Sequence, residues 1–175
     1  MPLSTDVRKR ISAIRLFVFD FDGVMTDNSV LVREDGNESV LCNRSDGLGI
    51  GMLKDAGAQV VVLSAEENPV VQARCRKLKI ECASGHKVKL PVLQQLLKDK
   101  GLTASETAYM GNDVNDAQCL KHVGLAIVVA DAHDSVKPLA HAITTNPGGK
   151  GAVREVVDWY LEAKGLDPYG VTSKA

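Results

Sequence analysis

The chain has 175 residues, 45% of them hydrophobic, enough to bury one ordinary core and too few to require two. Its 21 Lys and Arg stand against 22 Asp and Glu, a formal net charge of −1, so no global excess of positive charge draws it to nucleic acid or a lipid surface. No stretch approaches the roughly 20 apolar residues that span a bilayer and the N-terminal MPLSTDVRKRISAI has no long apolar core, so we expect a cytoplasmic protein with one domain over residues 1–175.

In chain order, the apolar run Leu16–Phe19 predicts a strand. Two short β-prone runs, 30–33 and 38–41, flank Asp35, Gly36 and Asn37, which predicts a hairpin over about 28–43. Asp46 is placed to cap a helix that runs to Asp55 and stops at Gly57. A second strand is expected over 60–63, and Asn68 followed by Pro69 opens a helix to about Leu78. Residues 88–100 predict a third helix, closed by Gly101. There follow a strand over 108–110, a helix over 116–122 closed by Gly124, a strand over 125–129, an edge strand over 142–144 and a helix over 152–163. The tail from about 165 to 175 looks unable to pack by itself. Strands alternating with helices are the signature of a parallel sheet covered on both faces, an α/β fold in three layers.

The four cysteines, Cys42, Cys75, Cys82 and Cys119, have no CxxC spacing, which argues against a zinc site or a disulfide framework. They read as small buried hydrophobes. The run Gly148, Gly149, Lys150, Gly151 does not match a nucleotide-binding GxxxxGK[ST] and reads as docking at a helix start.

Asp20 and Asp22 follow directly after the first strand, at the carboxyl edge where open α/β sheets place their ligands. A surface turn would also suit Asp before Gly. Three further positions favour chemistry: Ser64 ends the second strand, Lys89 begins the third helix, and Asp113 and Asp116 follow the strand at 108–110. This set suits phosphoryl transfer through a covalent aspartyl phosphate, in which a carboxylate attacks phosphorus. The phosphoryl charge needs a cation, a hydroxyl and an ammonium, and the leaving alkoxide needs a proton. Carboxylate-held Mg²⁺, Ser64, Lys89 and Asp22 meet those needs.

The strings FVFDFDGVMTD, LS at Ser64, Lys89 and GNDVND at 111–116 resemble the four ordered motifs of the haloacid dehalogenase superfamily of phosphatases. Within it, the hairpin, RSDGLGI at 44–50, VADAH at 129–133 and GGKGAVRE at 148–155 are similar to the 3-deoxy-D-manno-octulosonate 8-phosphate phosphatases. The segment LSAEENPVVQARCRKLKI at 63–80 is similar to the phosphatase-like domain of acylneuraminate cytidylyltransferases and to nonulosonate 9-phosphate phosphatases. Octulosonate phosphatases typically carry Thr-Gly-Arg where this chain has Ser64, Ala65 and Glu66.

The resemblance implies Asp20 as nucleophile, Asp22 as general acid and base, Ser64 and Lys89 as phosphate binders, and Asp113 as the late metal ligand, with Asp116 behind it. The backbone carbonyl of Asp22 is implied as a further ligand. Many relatives read GDD where this chain has Gly111, Asn112 and Asp113, so Asn112 competes for the direct position and would remove one negative charge from the site. Three candidates rest on residue chemistry. Glu66 suits hydroxyl recognition, or simply a solvated helix-start acid; Arg44 suits a substrate carboxylate, or a surface position; His86 reads more readily as a solvated side chain than as a substrate contact.

The expected activity is hydrolysis of a phosphomonoester of an eight- or nine-carbon 2-keto-3-deoxy sugar acid. The alternative is a weakly active oligomerisation module, like the domain fused to cytidylyltransferases. A response-regulator receiver is rejected by the order of the acids around Lys89. The resemblance also implies no separate cap domain, a homotetramer whose hairpins form a central barrel, and a tail that closes a neighbour's cleft.

Overall fold

The computed structural model describes residues 3–172, with the side chains of 171 and 172 left aside. A helix absent from the sequence expectations, α1 (Thr5–Ser12), comes first, capped by the Ser4 hydroxyl on Val7 N. Its Val7 and Ile11 lie one turn apart and are buried, and this four-residue repeat was too short to read by periodicity. Strand β1 (Leu16–Phe19) follows as predicted, with all four residues buried.

The hairpin is smaller than the sequence pattern suggests. Strands β2 (Leu31–Val32) and β3 (Glu38–Ser39) have two residues each and pair Leu31 with Ser39 and Val32 with Glu38. Its stem is tied to the body by an isolated bridge between Thr26 and Cys42.

Helix α2 (Arg44–Asp55) is capped by Asn43, whose Oδ1 accepts from Ser45 N at 2.8 Å, not by Asp46. Asp46 instead lies buried within the first turn and accepts from Arg154 N at 2.8 Å, tying α2 to a later helix. Then come β4 (Gln59–Leu63), α3 (Val70–Leu78) and β5 (Glu81–Ala83), a short strand whose polar first residue hid it from the sequence pattern. Pro69 is the cap residue of α3, and Asn68 Oδ1 accepts from Val70 N at 3.0 Å. Helix α4 (Lys89–Lys100) ends at Gly101 in the left-handed region, as predicted. Strand β6 (Thr107–Gly111), α5 (Ala117–His122), β7 (Leu125–Val128), β8 (Ala142–Ile143), α6 (Ala152–Lys164) and α7 (Pro168–Thr172) complete the chain. The tail, expected to be unable to pack by itself, forms α7 against α2, and its last three residues lie outside the described residues. Among the described residues no helix is long and apolar enough to cross a membrane.

The six-stranded sheet has the order β5-β4-β1-β6-β7-β8, with every pair parallel. The chain leaves β1 towards β4 and β5, then crosses back to β6 on the other side of β1. That reversal opens a crevice at the carboxyl end of β1, and right-handed crossovers put helices on both faces. Helices α1, α6, α2 and α3 pack in succession, and α4 packs on α5. The core is anchored by Phe17, whose ring meets Tyr160 of α6 edge-on at 5.2 Å between centroids and 82°.

Candidate active site

Asp20 is the first residue beyond β1, held by its N–H to Met110 O at 2.9 Å. Its carboxylate is almost wholly buried, and Oδ1 takes Lys89 Nζ at 2.8 Å and Phe21 N at 2.7 Å. Burial dominates its ionisation, and the charge of Asp116 adds to it; together they outweigh Lys89 and push the Asp20 pKa up to about 7.

Lys89 begins α4, yet its side chain is fully buried and paired with two carboxylates: Asp116 Oδ1 stands 2.7 Å from Nζ, as close as Asp20 Oδ1 at 2.8 Å. Burial alone would lower the Lys89 pKa, but Asp20 and Asp116 outweigh it and raise it, so the ammonium stays charged. Asp116 is saturated. Its Oδ1 also takes the Tyr109 hydroxyl at 2.7 Å, and its Oδ2 takes Asn112 N at 2.9 Å and Asp113 N at 3.2 Å. One buried carboxylate therefore fixes both the ammonium and the loop after β6. Tyr109 was not anticipated from the sequence, because within an apolar strand it reads as core.

Beyond Asp20 the chain turns sharply: Met25 N bonds Phe21 O at 2.9 Å, and Thr26, fully buried, accepts from Gly23 N and Asn28 N at 3.2 Å each. Gly23 has φ +78°, and a Cβ there would run into the Asn112 amide. The glycine run predicted to dock at a helix start packs on this turn: a Cβ on Gly148 would strike Gly23 O, and Gly149 N bonds Val24 O at 2.9 Å.

A cleft of about 400 Å³ opens over these groups, lined by Asp20, Asp22, Ser64, Glu66, Asn112 and Asp113 among the predicted residues. Ser64 is buried at the end of β4, with Oγ accepting from Glu66 N at 3.1 Å. Asn28 and Lys87 also line the cleft and were missed, since neither belongs to a recognisable pattern. Arg44, by contrast, is exposed at the start of α2 and lines no part of it, because the capping of α2 by Asn43 carries it away. His86 is exposed too; only its backbone N–H reaches the site, on Ser64 O at 3.1 Å.

A second cleft of about 270 Å³ adjoins the first through Asp22, Asn28 and Glu66 and runs under the hairpin, where Glu38 lines it. Asn68 bridges the two acids, donating Nδ2 to Glu38 at 3.0 Å and its backbone N–H to Glu66 at 2.7 Å. Asp22 is half-buried, and its pKa is raised by burial first, then by Glu66 and Glu38 against the opposing pull of Lys89. A carboxyl so placed keeps its proton to a higher pH and can donate it to a leaving oxygen.

The donor set for a cation is compact but mixed. Asp20 Oδ2, the backbone oxygen of Asp22 and the Asn112 amide converge, with the amide 3.3 Å and 3.1 Å from the other two. Among the described residues no group of three His, Cys, Asp or Glu side chains is placed to hold a metal, so a cation here would draw on the Asp22 backbone oxygen as well as on side chains. Hard oxygen donors of this kind suit Mg²⁺. Asp113 lines the cleft but turns its Oδ1 to Val114 N at 2.7 Å, where it caps the turn before α5.

Comparison with known proteins gives a consistent set. Residues 73–156 match a family of haloacid dehalogenase-like hydrolases. The 3-deoxy-D-manno-octulosonate 8-phosphate phosphatase of Escherichia coli K12 is 35% identical over 94% of this chain and 88% of its own. A haloacid dehalogenase family hydrolase from Streptomyces avermitilis superposes with a TM-score of 0.85 at 45% identity, over 90% of this chain and 91% of its own. The octulosonate phosphatase of Moraxella catarrhalis, solved with a magnesium ion, a phosphate ion and a KDO molecule, superposes with a TM-score of 0.93 at 28% identity, over 99% of this chain and all of its own.

Proposed function

Since the chain belongs to the haloacid dehalogenase-like hydrolases and is a phosphatase, we propose that it cleaves the phosphomonoester of an eight- or nine-carbon 2-keto-3-deoxy sugar acid through an aspartyl-phosphate intermediate. The observation that carries this reading is that Asp20, Asp22 and Ser64 line one cleft at the switch point of the sheet and that Lys89, buried just behind it, pairs with Asp20 at 2.8 Å.

In the proposed reaction Asp20 attacks phosphorus, the ester bond breaks, and the leaving alkoxide takes the Asp22 proton. Asp22 then removes a proton from the water that opens the acyl phosphate, which restores both groups. Lys89 and the Ser64 hydroxyl hold phosphoryl oxygens, and Lys89 stays fixed by Asp116 throughout. A Mg²⁺ ion held by Asp20, the Asp22 carbonyl and the residues at 112 and 113 would offset the negative charge of the phosphoryl group. The Asn112 amide lies 3.3 Å from Asp20 Oδ2 and 3.1 Å from the Asp22 carbonyl, while Asp113 Oδ1 is engaged by Val114 N, which favours the amide as the direct ligand.

The sugar-acid part of the proposal is supported by the relatives and by the second cleft, whose Glu38 and Glu66 can accept from hydroxyls. A phosphate-release screen over octulosonate 8-phosphate, nonulosonate 9-phosphates and hexose phosphates tests it: a sugar acid phosphate is expected to win in kcat/KM, and preference for a hexose phosphate would overturn the assignment. Exhaustive chelation is expected to remove activity, with Mg²⁺ restoring it better than the larger Ca²⁺.

The hairpin supports the proposed homotetramer. Val30, Leu31, Val32 and Leu41 are all more than half exposed there, and the two-residue strands leave unpaired edges. Light scattering is expected to find four copies; a fully active monomer would refute the assembly. If the chain were chiefly an assembly module, it would form tetramers while every phosphate in the screen stayed uncleaved.

A further inference from the structure

Asn112 occupies a place that a carboxylate could not fill on the same terms. Its amide is within hydrogen-bond distance of two acceptors, Asp20 Oδ2 at 3.3 Å and the Asp22 backbone oxygen at 3.1 Å. The other oxygen of Asp20 is already bound by Lys89 and Phe21 N. An amide has one donating and one accepting face. With NH₂ inward it satisfies both acceptors; with oxygen inward it sets three oxygens around one point with no donor among them. The first arrangement is stable by itself. The second sets oxygen against oxygen at this face, a repulsion that a cation among the oxygens would offset, and turns the NH₂ towards donors on the other.

We propose that Asn112 is a two-faced ligand, whose NH₂ satisfies Asp20 and the Asp22 carbonyl in the metal-free protein and whose oxygen turns inward when a divalent cation binds. This rests on the cation reading given above and adds a consequence to it: the site keeps its shape without metal. Three features allow the turn. The bond that rotates is a terminal sp³–sp² torsion with broad, roughly two-fold wells. Gly23 faces the amide without a Cβ, which leaves it room. The Asn112 backbone is pinned on both sides, its N–H on Asp116 Oδ2 at 2.9 Å and its carbonyl under His133 N at 2.8 Å, so the movement is confined to the side chain.

An Asp at this position would have only acceptors to offer. Without metal it would press a second buried carboxylate against Asp20; with metal it would add one negative charge to the ligand set. The amide therefore gives weaker binding and a cation that exchanges without local unfolding.

The test compares wild type, Asn112→Asp and Asn112→Ala by thermal unfolding in EDTA and in Mg²⁺, with Mg²⁺ affinity measured by calorimetry. In EDTA, Asn112→Asp is expected to melt below wild type, and Mg²⁺ is expected to raise its Tm by more than it raises that of wild type. Its Mg²⁺ Kd is expected to tighten by about tenfold or more, as an added charged oxygen ligand tightens such sites. Asn112→Ala, folded in either condition, is expected to bind Mg²⁺ about tenfold more weakly. Equal EDTA melting of wild type and Asn112→Asp, or equal Mg²⁺ affinity in all three proteins, would overturn the two-faced ligand and leave the cation reading intact. A wild type with no Mg²⁺ binding by calorimetry would overturn both.

Discussion

On the inner side of the site Asp116 takes four hydrogen bonds, from Lys89, Tyr109, Asn112 and Asp113, and none of it is exposed. On the hairpin side Glu38 and Glu66 are half-buried and share the bridge of Asn68. The first wall belongs to the core: its atoms come from β6, α4 and the end of β1, and shifting one leaves a buried charge unpaired. The second belongs to the hairpin and the loop after β4, where water can replace a lost partner. On the proposed reading, phosphoryl chemistry would be tied to stability, while the choice of leaving group could be changed at little cost to the fold.

The sharpest way to isolate the buried wall is Asp20→Asn, which is expected to abolish turnover, because an amide keeps the shape but is a far poorer nucleophile. Near wild-type phosphate release would remove the central claim. The same variant tests the pKa near 7. A carboxyl raised from 3.8 to about 7 contributes stability that is complete below 3.8 and is lost as pH rises through 7. Asp20→Asn should therefore gain Tm over wild type more at pH 8 than at pH 5, measured in chelator; an equal difference at both would show that Asp20 is not held protonated by burial.

Asp22 joins the two walls, so its loss should depend on the substrate. Asp22→Asn is expected to slow alkyl phosphates by about 10²–10⁴-fold and an activated aryl phosphate much less, since the latter leaves without a proton. Steady-state rates on both classes decide it, and equal slowing would mean that Asp22 is not the general acid.

Tyr109→Phe probes the dry wall without touching substrate. It strips one donor from Asp116, and leaving that buried acceptor short is expected to destabilise the protein by about 1–3 kcal/mol in urea unfolding. A loss no larger than that of a surface substitution would mean the wall is not as tightly coupled as its hydrogen bonds imply.

The smallest effect is expected from Glu38→Gln on the wet wall. Its stability should stay within about 0.5 kcal/mol of wild type, as for surface changes generally. With one negative charge gone, the raised pKa of Asp22 should fall, and the alkaline limb of kcat should move to lower pH. An unmoved limb would separate Glu38 from the acid it faces.

Where local pattern and tertiary setting agree, the chain is legible residue by residue. The apolar run of β1, the stop of α4 at Gly101 and the placing of Asp20, Asp22, Ser64 and Lys89 at strand ends and a helix start all follow from propensity, caps and strand order. Where a side chain has two local uses, sequence reasoning chose the commoner one and missed. Asp46 looks like a helix cap, but Asn43 caps, and Asp46 is drawn into the core to hold the start of α6. Arg44, left open between a substrate carboxylate and a surface position, is exposed at the start of α2 and lines no part of the cleft. Glu38 carries no signal, because a hairpin acid is ordinarily solvated.

The sequence by itself determined the α/β alternation, the acids on either side of Lys89 and the hairpin that follows the first acids, since each is written in spacing over a few residues or in the order of segments. Only the tertiary structure decided that Tyr109 and Lys89 meet on one oxygen of Asp116, that the Asn112 amide reaches both Asp20 and the Asp22 carbonyl, and that Glu38 and Glu66 face Asp22. Those pairings join segments far apart in the chain. They form because burial leaves each charge and each polar atom few partners to choose from, and that constraint exists only once the sheet has closed around them.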